Sequence, residues 1–445
     1  MRSHDGASNN LVHRSASAIK PRTKQVGPTM RMSGKVLAAF TVFGLVTGCG
    51  QQQTAATAAS SADYEKTLRM QLETAKPGDV ITIPEGTFPM TRSLVLSASG
   101  VTIKGAGMDK SVLSFKGQIA GAEGLLVNAS NFTIEDVAIE DTKGDALKVN
   151  EGSNIVIRRV RTEWTGGPST QNGAYGIYPV MTQNTLIDGS VAIGASDAGI
   201  YVGQSQNVVI RNSRAEFNVA GIEIENTIGA DVHDNVATNN TGGILVFNMP
   251  DLKQPGHNTR VFNNQVVANN TRNFGAEGSA VASVPAGSGV VVNSNDNVEI
   301  FDNTIGGNNT ANVLISSYFS VTYSGERKLA ETFDPYPEGI FIYGNTFSKG
   351  GGAPDRPALQ ALRQAMFGAD GNLPDIVWDG IVNDSKFVEG RLPAALSICV
   401  DNGASDIVNA DNANKNANPK IDTAAHRCQL EKLPAIVLPE SSATS

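Results

Sequence analysis

The sequence predicts an all-β chain, a right-handed parallel β-helix over residues 63–352, and three observations lead there. First, a Gly-apolar-x-apolar tetrad recurs: Gly176-Ile-Tyr-Pro179, Gly199-Ile-Tyr-Val202, Gly221-Ile-Glu-Ile224, Gly243-Ile-Leu-Val246, Gly289-Val-Val-Val292 and Gly339-Ile-Phe-Ile342, with Ala146-Leu-Lys-Val149 as an alanine variant. Second, Asn-apolar-x-Ile recurs between those tetrads at Asn154, Asn207 and Asn297. Third, the chain has 46 glycines but only 6% aromatic residues, so its core must come mainly from Val, Ile, Leu and Ala, which suit strands.

Gly199, Gly221 and Gly243 are 22 residues apart, the length of one solenoid coil. Each short strand then pairs with its equivalent one coil along, about 4.8 Å away. Side chains alternate, so the Ile and Val of each tetrad point inward and the residue between them points outward. No coil can bury its apolar face alone, and stacking supplies the core. Asn212, Asp234, Asn263, Asp302 and Asn345 follow the second strands and suit tight turns, because Asn and Asp tolerate left-handed backbone.

Both ends carry expected caps. Tyr64 to Ala75 places Leu68 and Leu72 at helical spacing before Lys76-Pro-Gly-Asp79, which stops a helix. Such a helix would shield the open edge of the first coil. Residues 353–445 are expected to form a C-terminal cap and tail. A helix opens at Asp355 and Pro357 and runs through Leu359, Leu362 and Met366.

The first residues read as an address. Residues 1–48 contain seven Lys or Arg and a single acid, Asp5, and end in an apolar run from Val36 to Val46 that is too short for a comfortable membrane span. Leu45-Val46-Thr47-Gly48-Cys49 resembles a bacterial lipobox, so a lipid on Cys49 is expected to anchor the chain to the outer membrane. Residues 49–62 read as a polar linker. Export favours oxidation, and Cys399 and Cys428 form an even pair expected to bridge, worth about 3 kcal/mol in the chain-entropy model. Without the leader the chain carries 28 basic and 42 acidic residues, a net charge of −14, which argues against nucleic acid as a partner.

Ala75-Lys-Pro-Gly-Asp-Val-Ile-Thr-Ile-Pro-Glu-Gly-Thr-Phe88 and Ser99-Gly-Val-Thr-Ile-Lys-Gly105 resemble the opening of the pectate-lyase-like β-helix superfamily. Gly194-Ala-Ser-Asp-Ala-Gly-Ile-Tyr-Val-Gly-Gln204 and Ala220-Gly-Ile-Glu-Ile-Glu-Asn226 resemble bacterial surface proteins known as parallel β-helix repeat proteins. The resemblance implies a polysaccharide or glycan partner, in the style of mannuronan C5-epimerases and polysaccharide lyases. The catalytic motifs do not carry over. The epimerase Asp-Pro-His-Asp is absent, since Asp334-Pro335 is followed by Tyr336, and the paired Asp and Gly-His-Gly of polygalacturonases are missing.

Candidate chemistry lies on the outward positions of the tetrad strands: Lys148, Tyr178, Tyr201 and Glu223, with Glu225 two residues further on and Asp197 just before its strand. The same column turns apolar at Leu245 and Val291. Long segments at 165–174, 248–258, 273–288 and 316–338 could wall a groove over this face. For a lyase or epimerase, Lys148 could steady an enolate while Tyr178 or Tyr201 serves as base and acid. For a glycosidase, Glu223 and Glu225 supply two carboxyls on one strand face, and Asp197 could join either set. The plainer expectation is that outward residues of a solenoid are solvated surface. His233 reads as a solvated turn residue and His257 as an exposed loop tip. No calcium repeat or Cys/His metal spacing occurs, so no cofactor or metal is expected. An enzyme and a non-catalytic glycan-binding or structural envelope protein remain open readings.

Overall fold

The protein is described by a computed structural model covering residues 61–321 and 328–439. The leader, Cys49 and nearly all of the 49–62 linker lie outside the described residues. The described residues open with helix α1, Ser61–Thr74, whose Leu68 and Leu72 are buried against the first coil.

From Val80 onward the backbone winds into coils of up to three short strands, each in parallel register with its equivalent in the next coil. One coil is Ala198–Gly203, Gln206–Arg211 and Arg214–Glu216; the next is Ala220–Glu225, Ile228–His233 and Val236–Thr238. Ile200 pairs with Ile222 and Ile222 with Ile244, all fully buried, as the tetrad predicts. The expected boundary at residue 352 is not where stacking stops. Ile376–Trp378 continues the first sheet, made by the first strand of each coil, beside Val313–Ile315, and Ile398–Asp401 continues the second, made by the second strands, beside Ile340–Tyr343. Helix α2, Pro357–Phe367, is therefore an excursion between strands.

The corners explain much of the polar sequence. Asn212, Asp234, Asn263 and Asp302 adopt positive φ as expected. Asn345 does not; Gly344 occupies the left-handed position and Asn345 turns inward. It joins a buried ladder in which each side-chain amide donates to the Oδ1 of the next: Asn235, Asn264, Asn303, Asn345 and Asn402, at 2.9–3.2 Å. A second ladder runs through Asn218, Asn240, Asn269 and Asn308. It also explains the tetrad glycines at Gly199, Gly221, Gly243 and Gly289. A Cβ on Gly199 would lie 2.5 Å from the Asn218 amide, so the strand start has no room for one.

On the second sheet, His233 does not stand in solvent as a turn residue. Its ring stacks on Phe262, followed by Phe301 and Tyr343, with centroids 4.7–4.9 Å apart and planes within 11°. His257 opens a strand instead of tipping a loop. The expected disulfide joins Cys399 to Cys428. Beyond it the tail crosses this sheet: Lys432 lies over the Tyr343 ring, Arg260 donates to the Leu433 carbonyl, and the Ile436 N–H donates to Asp231. Among the described residues no helix is long and apolar enough to cross a membrane.

Candidate functional site

Long excursions leave the coils on both flanks of the first sheet. Residues 164–174, 268–287 and 349–375 precede its strands, while 248–256, 317–321 and 328–339 follow them. The outward column on this sheet is as the alternation predicts. Lys148 pairs with Tyr178, Tyr201 with Glu223, Glu223 with Leu245, Leu245 with Val291, Val291 with Leu314 and Leu314 with Val377. A parallel column carries Gly203, Glu225, Phe247 and Asn293.

The flanking segments change the character of this face. Tyr201 is only 4% exposed and Glu223 1%, so neither is the solvated surface residue that outward alternation suggests. Val281 and Val284, from the 268–287 segment, pack with Tyr201, Leu245, Phe247 and Val291 into a second apolar cluster outside the solenoid core.

The structure brings the candidates together. Tyr175, Tyr178 and Tyr201 form a triangle of rings with centroids 4.3–4.9 Å apart. The Tyr201 hydroxyl donates to Glu225 Oε1 at 2.7 Å. Gly203 makes this reach possible, because any Cβ there would collide with the Tyr201 ring. Lys148 sits 4.7 Å from the Tyr178 ring centroid and 3.6 Å from Asp145 Oδ2. Asp145 and Tyr175 were not legible as site residues. Each stands immediately before the first residue of a tetrad, Ala146 and Gly176, a position that alternation alone does not aim at the face.

Electrostatics set the protonation of the cluster. Burial, with Glu225 and Asp145 adding like charge, pushes the Asp197 carboxyl up to about 8. Burial, then Asp197 and Glu225, pushes Glu223 well above the usual carboxylate range, and its Oε2 has no hydrogen-bond partner. Burial lifts Asp145 to about 6 even though Lys148 opposes the shift. All three tyrosines are raised by burial and by the surrounding acids, so they hold their protons and act as donors. Held in this way, Tyr178 and Tyr201 suit the acid role expected of them better than the base role, and Lys148 is already engaged by Asp145 and the Tyr178 ring. Asp197 protonated at neutral pH, beside a Glu225 that accepts from Tyr201, is an arrangement suited to proton delivery and removal.

Residues 97–266 match the family model described as the right handed beta helix region. Over those residues the chain has the right-handed β-helix fold. Among solved structures this β-helix is similar to the A-module of mannuronan C-5 epimerase AlgE4 from Azotobacter vinelandii, at 18% identity and TM-score 0.49, covering 76% of this chain and 90% of that one. It is similar to DFA-IIIase from Arthrobacter chlorophenolicus A6, at 11% identity and TM-score 0.42, covering 72% and 86%. It is also similar to an alginate lyase from Paenibacillus sp. str. FPU-7, at 17% identity and TM-score 0.39, covering 64% and 96%. No curated protein matches its sequence.

Further along the same face of the β-helix, a cleft of about 630 Å³ opens over Phe247, Val291, Leu314 and Val377, walled by residues 277–285 and by α2. Among the described residues, no group of His, Cys, Asp or Glu is arranged to hold a metal ion.

Proposed function

We propose that this β-helix binds a glycan over Tyr175 and Tyr178 and acts on a glycosidic bond with Asp197 and Glu225. The observation that carries this reading is the triangle of tyrosine rings set against a carboxyl that keeps its proton to about 8. Aromatic faces accept the C–H faces of sugar rings, and a protonated carboxyl can donate to a leaving oxygen. In this scheme Asp197 gives its proton to the glycosidic oxygen as the C–O bond breaks. Glu225 takes a proton from the attacking water, and the Tyr201 hydroxyl holds Glu225 in place. Tyr175 and Tyr178 are the partly exposed rings, so they serve as the platform, while Tyr201 is a positioning residue.

This reading departs from the lyase or epimerase scheme on electrostatic grounds. Tyr178 and Tyr201 hold their protons and so are poor bases for a C5 proton, and Lys148 is already engaged by Asp145. The second reading, a binding module without turnover, draws on the near-complete burial of Tyr201 and Glu223. A panel of neutral and acidic polysaccharides incubated with purified protein separates these schemes. Reducing ends released without unsaturated uronate, and lost in Asp197→Asn and Glu225→Gln, support the glycosidase reading. Absorbance from unsaturated uronates supports a lyase, and binding without turnover supports the module. If no glycan binds, the proposal is wrong. Anchoring through a lipid on Cys49 at the outer membrane belongs to the same proposal. Cys49→Ala should move the protein out of the membrane fraction, and its retention there would refute the anchor.

A further inference from the structure

The face that carries the tyrosines is closed at one end and open at the other. Beyond Tyr201 its outward column reads Glu223 and Leu245, 1% and 0% exposed, so no ligand can lie on the strands there. Residues 268–287 close that end, with Val281 and Val284 packed among Tyr201 and Leu245. The segment is tied down along its length. Asn273 donates to the Val281 and Val284 carbonyls at 2.8 and 2.9 Å, Arg356 donates to those of Ala282 and Val284, and the Gly287 N–H donates to the Thr241 carbonyl at 3.1 Å. It is built as a wall, not as a lid. Along the strand direction the site is flanked by residues 164–174 on one side and 248–256 on the other, the latter held to Gln204 and Ser205 by Lys253 and Gln254.

The opposite direction along the axis is free. From Tyr178 the same column continues through Lys148, Leu126 and Val95, one residue per coil, over about 14 Å. Lys148 and Leu126 are half-buried and Val95 is 43% exposed. Asn150, two residues from Lys148 and so on the same face, donates to Asn128 at 3.2 Å, and Asn128 is exposed. The connections flanking these strands, residues 97–101, 115–119, 128–131 and 141–146, are short and leave the column uncovered. Asp197 and Glu225 stand at the boundary of the two halves, Asp197 just before the strand of Tyr201 and Glu225 at the end of the strand of Glu223. A glycan over Tyr175 and Tyr178 therefore has one end at the carboxyls, against the wall, and only its other end can continue. One coil, about 4.8 Å, is close to the length of one sugar residue, so the open column takes about three more of them.

We infer that this protein acts on its glycan from a chain end, releasing one or two sugars at a time while the rest of the chain lies over Lys148, Leu126 and Val95; the inference rests on the glycosidase reading above. Each event consumes one water and frees one new reducing end.

The purified protein is incubated with hydroxyethyl cellulose, xylan, glucomannan, alginate and polygalacturonate, with released products and remaining polymer length followed by chromatography. Mono- or disaccharides from the first time points, with polymer length falling slowly, are expected. A ladder of intermediate oligosaccharides with an early drop in polymer length would overturn the inference and leave the glycosidase reading standing. No reducing ends from any of the five would defeat that reading, and the inference with it. Leu126→Asp tests the direction in which the chain runs. It should raise KM for the hexasaccharide of the cleaved glycan by about fivefold more than for its trisaccharide, with kcat little changed. Asn128→Ala, at an exposed position, should act in the same sense and serves if thermal unfolding shows Leu126→Asp to be damaged. Equal effects of both variants on the two lengths would show that the chain does not run over these coils.

Discussion

The Tyr201 hydroxyl donates a 2.7 Å hydrogen bond to Glu225 Oε1, from one coil to the next, across the bare backbone of Gly203. Glu225 itself is the strand neighbour of Gly203, so the ring lies along its own strand to meet the carboxyl of the following coil. Tyr201→Phe keeps the ring packed with Val281 and Val284 and removes only this bond. It should leave unfolding cooperative, alter stability by about 1 kcal/mol and lower turnover by about tenfold or more. A pH–rate profile identical to the wild type would show that the hydroxyl does not position Glu225.

Gly203→Ala is the backbone counterpart. Its Cβ must displace the Tyr201 ring, so the variant should lose activity to the same degree as Tyr201→Phe while also losing stability through overpacking, about 1–3 kcal/mol. Wild-type turnover in Gly203→Ala would mean that the ring can move without consequence.

The raised carboxyls give stability a definite slope. Asp197 and Glu223 bind their protons more tightly folded than unfolded, so the folded chain holds protons that the unfolded chain has released. The Asp197 contribution is full below pH about 4 and is lost as pH rises towards about 8, at no more than about 1.4 kcal/mol per pH unit, and that of Glu223 falls in the same direction. Asp296, raised to about 8 by burial and by Asp334 and Glu338, adds to the same slope. Glu223→Gln and Asp197→Asn should each make denaturant-measured stability fall less steeply between pH 5 and 8, leaving the slope due to the other raised carboxyls, Asp296 and Asp145 among them. An unchanged slope in both variants would refute the assigned protonation.

Core and ladder should respond differently to substitution. Ile222→Ala, at a fully buried inward position, should cost about 2–5 kcal/mol through the cavity it leaves. Asn303→Ala removes an amide that donates to the Val261 carbonyl and to Asn345, and whose oxygen serves both the N–H and the amide of Asn264. Each buried group left unsatisfied costs about 1–3 kcal/mol, so this loss should equal or exceed that at Ile222. Chemical denaturation of the two variants checks the order.

Sequence periodicity made the coil, the inward Ile and Val columns, both helices and the disulfide pair legible. Each follows from local spacing or from a property of the residue itself: alternation along a strand, Leu68 and Leu72 one helical turn apart, two cysteines that an export reading leaves to pair. The same spacing placed Lys148, Tyr178, Tyr201, Glu223 and Glu225 on one face. It gave no warning of Asp145 or Tyr175, which lie just outside the repeating tetrad, or of the asparagine ladders, whose members sit next to the turn residues and differ from them only in direction.

The sequence by itself determined which side of each strand a residue occupies, because alternation is a property of extended backbone. Whether the outer side meets water was decided only by the tertiary structure. The 268–287 segment closes over Leu245 and Tyr201, and no strand pattern encodes where a loop of that length will lie. Burial on this face turned Glu223 from a surface acid into a buried one and, with Glu225 and Asp145 adding like charge, raised Asp197 to about 8, since a carboxyl's proton affinity depends on the water and charge around it and not on its place in the chain.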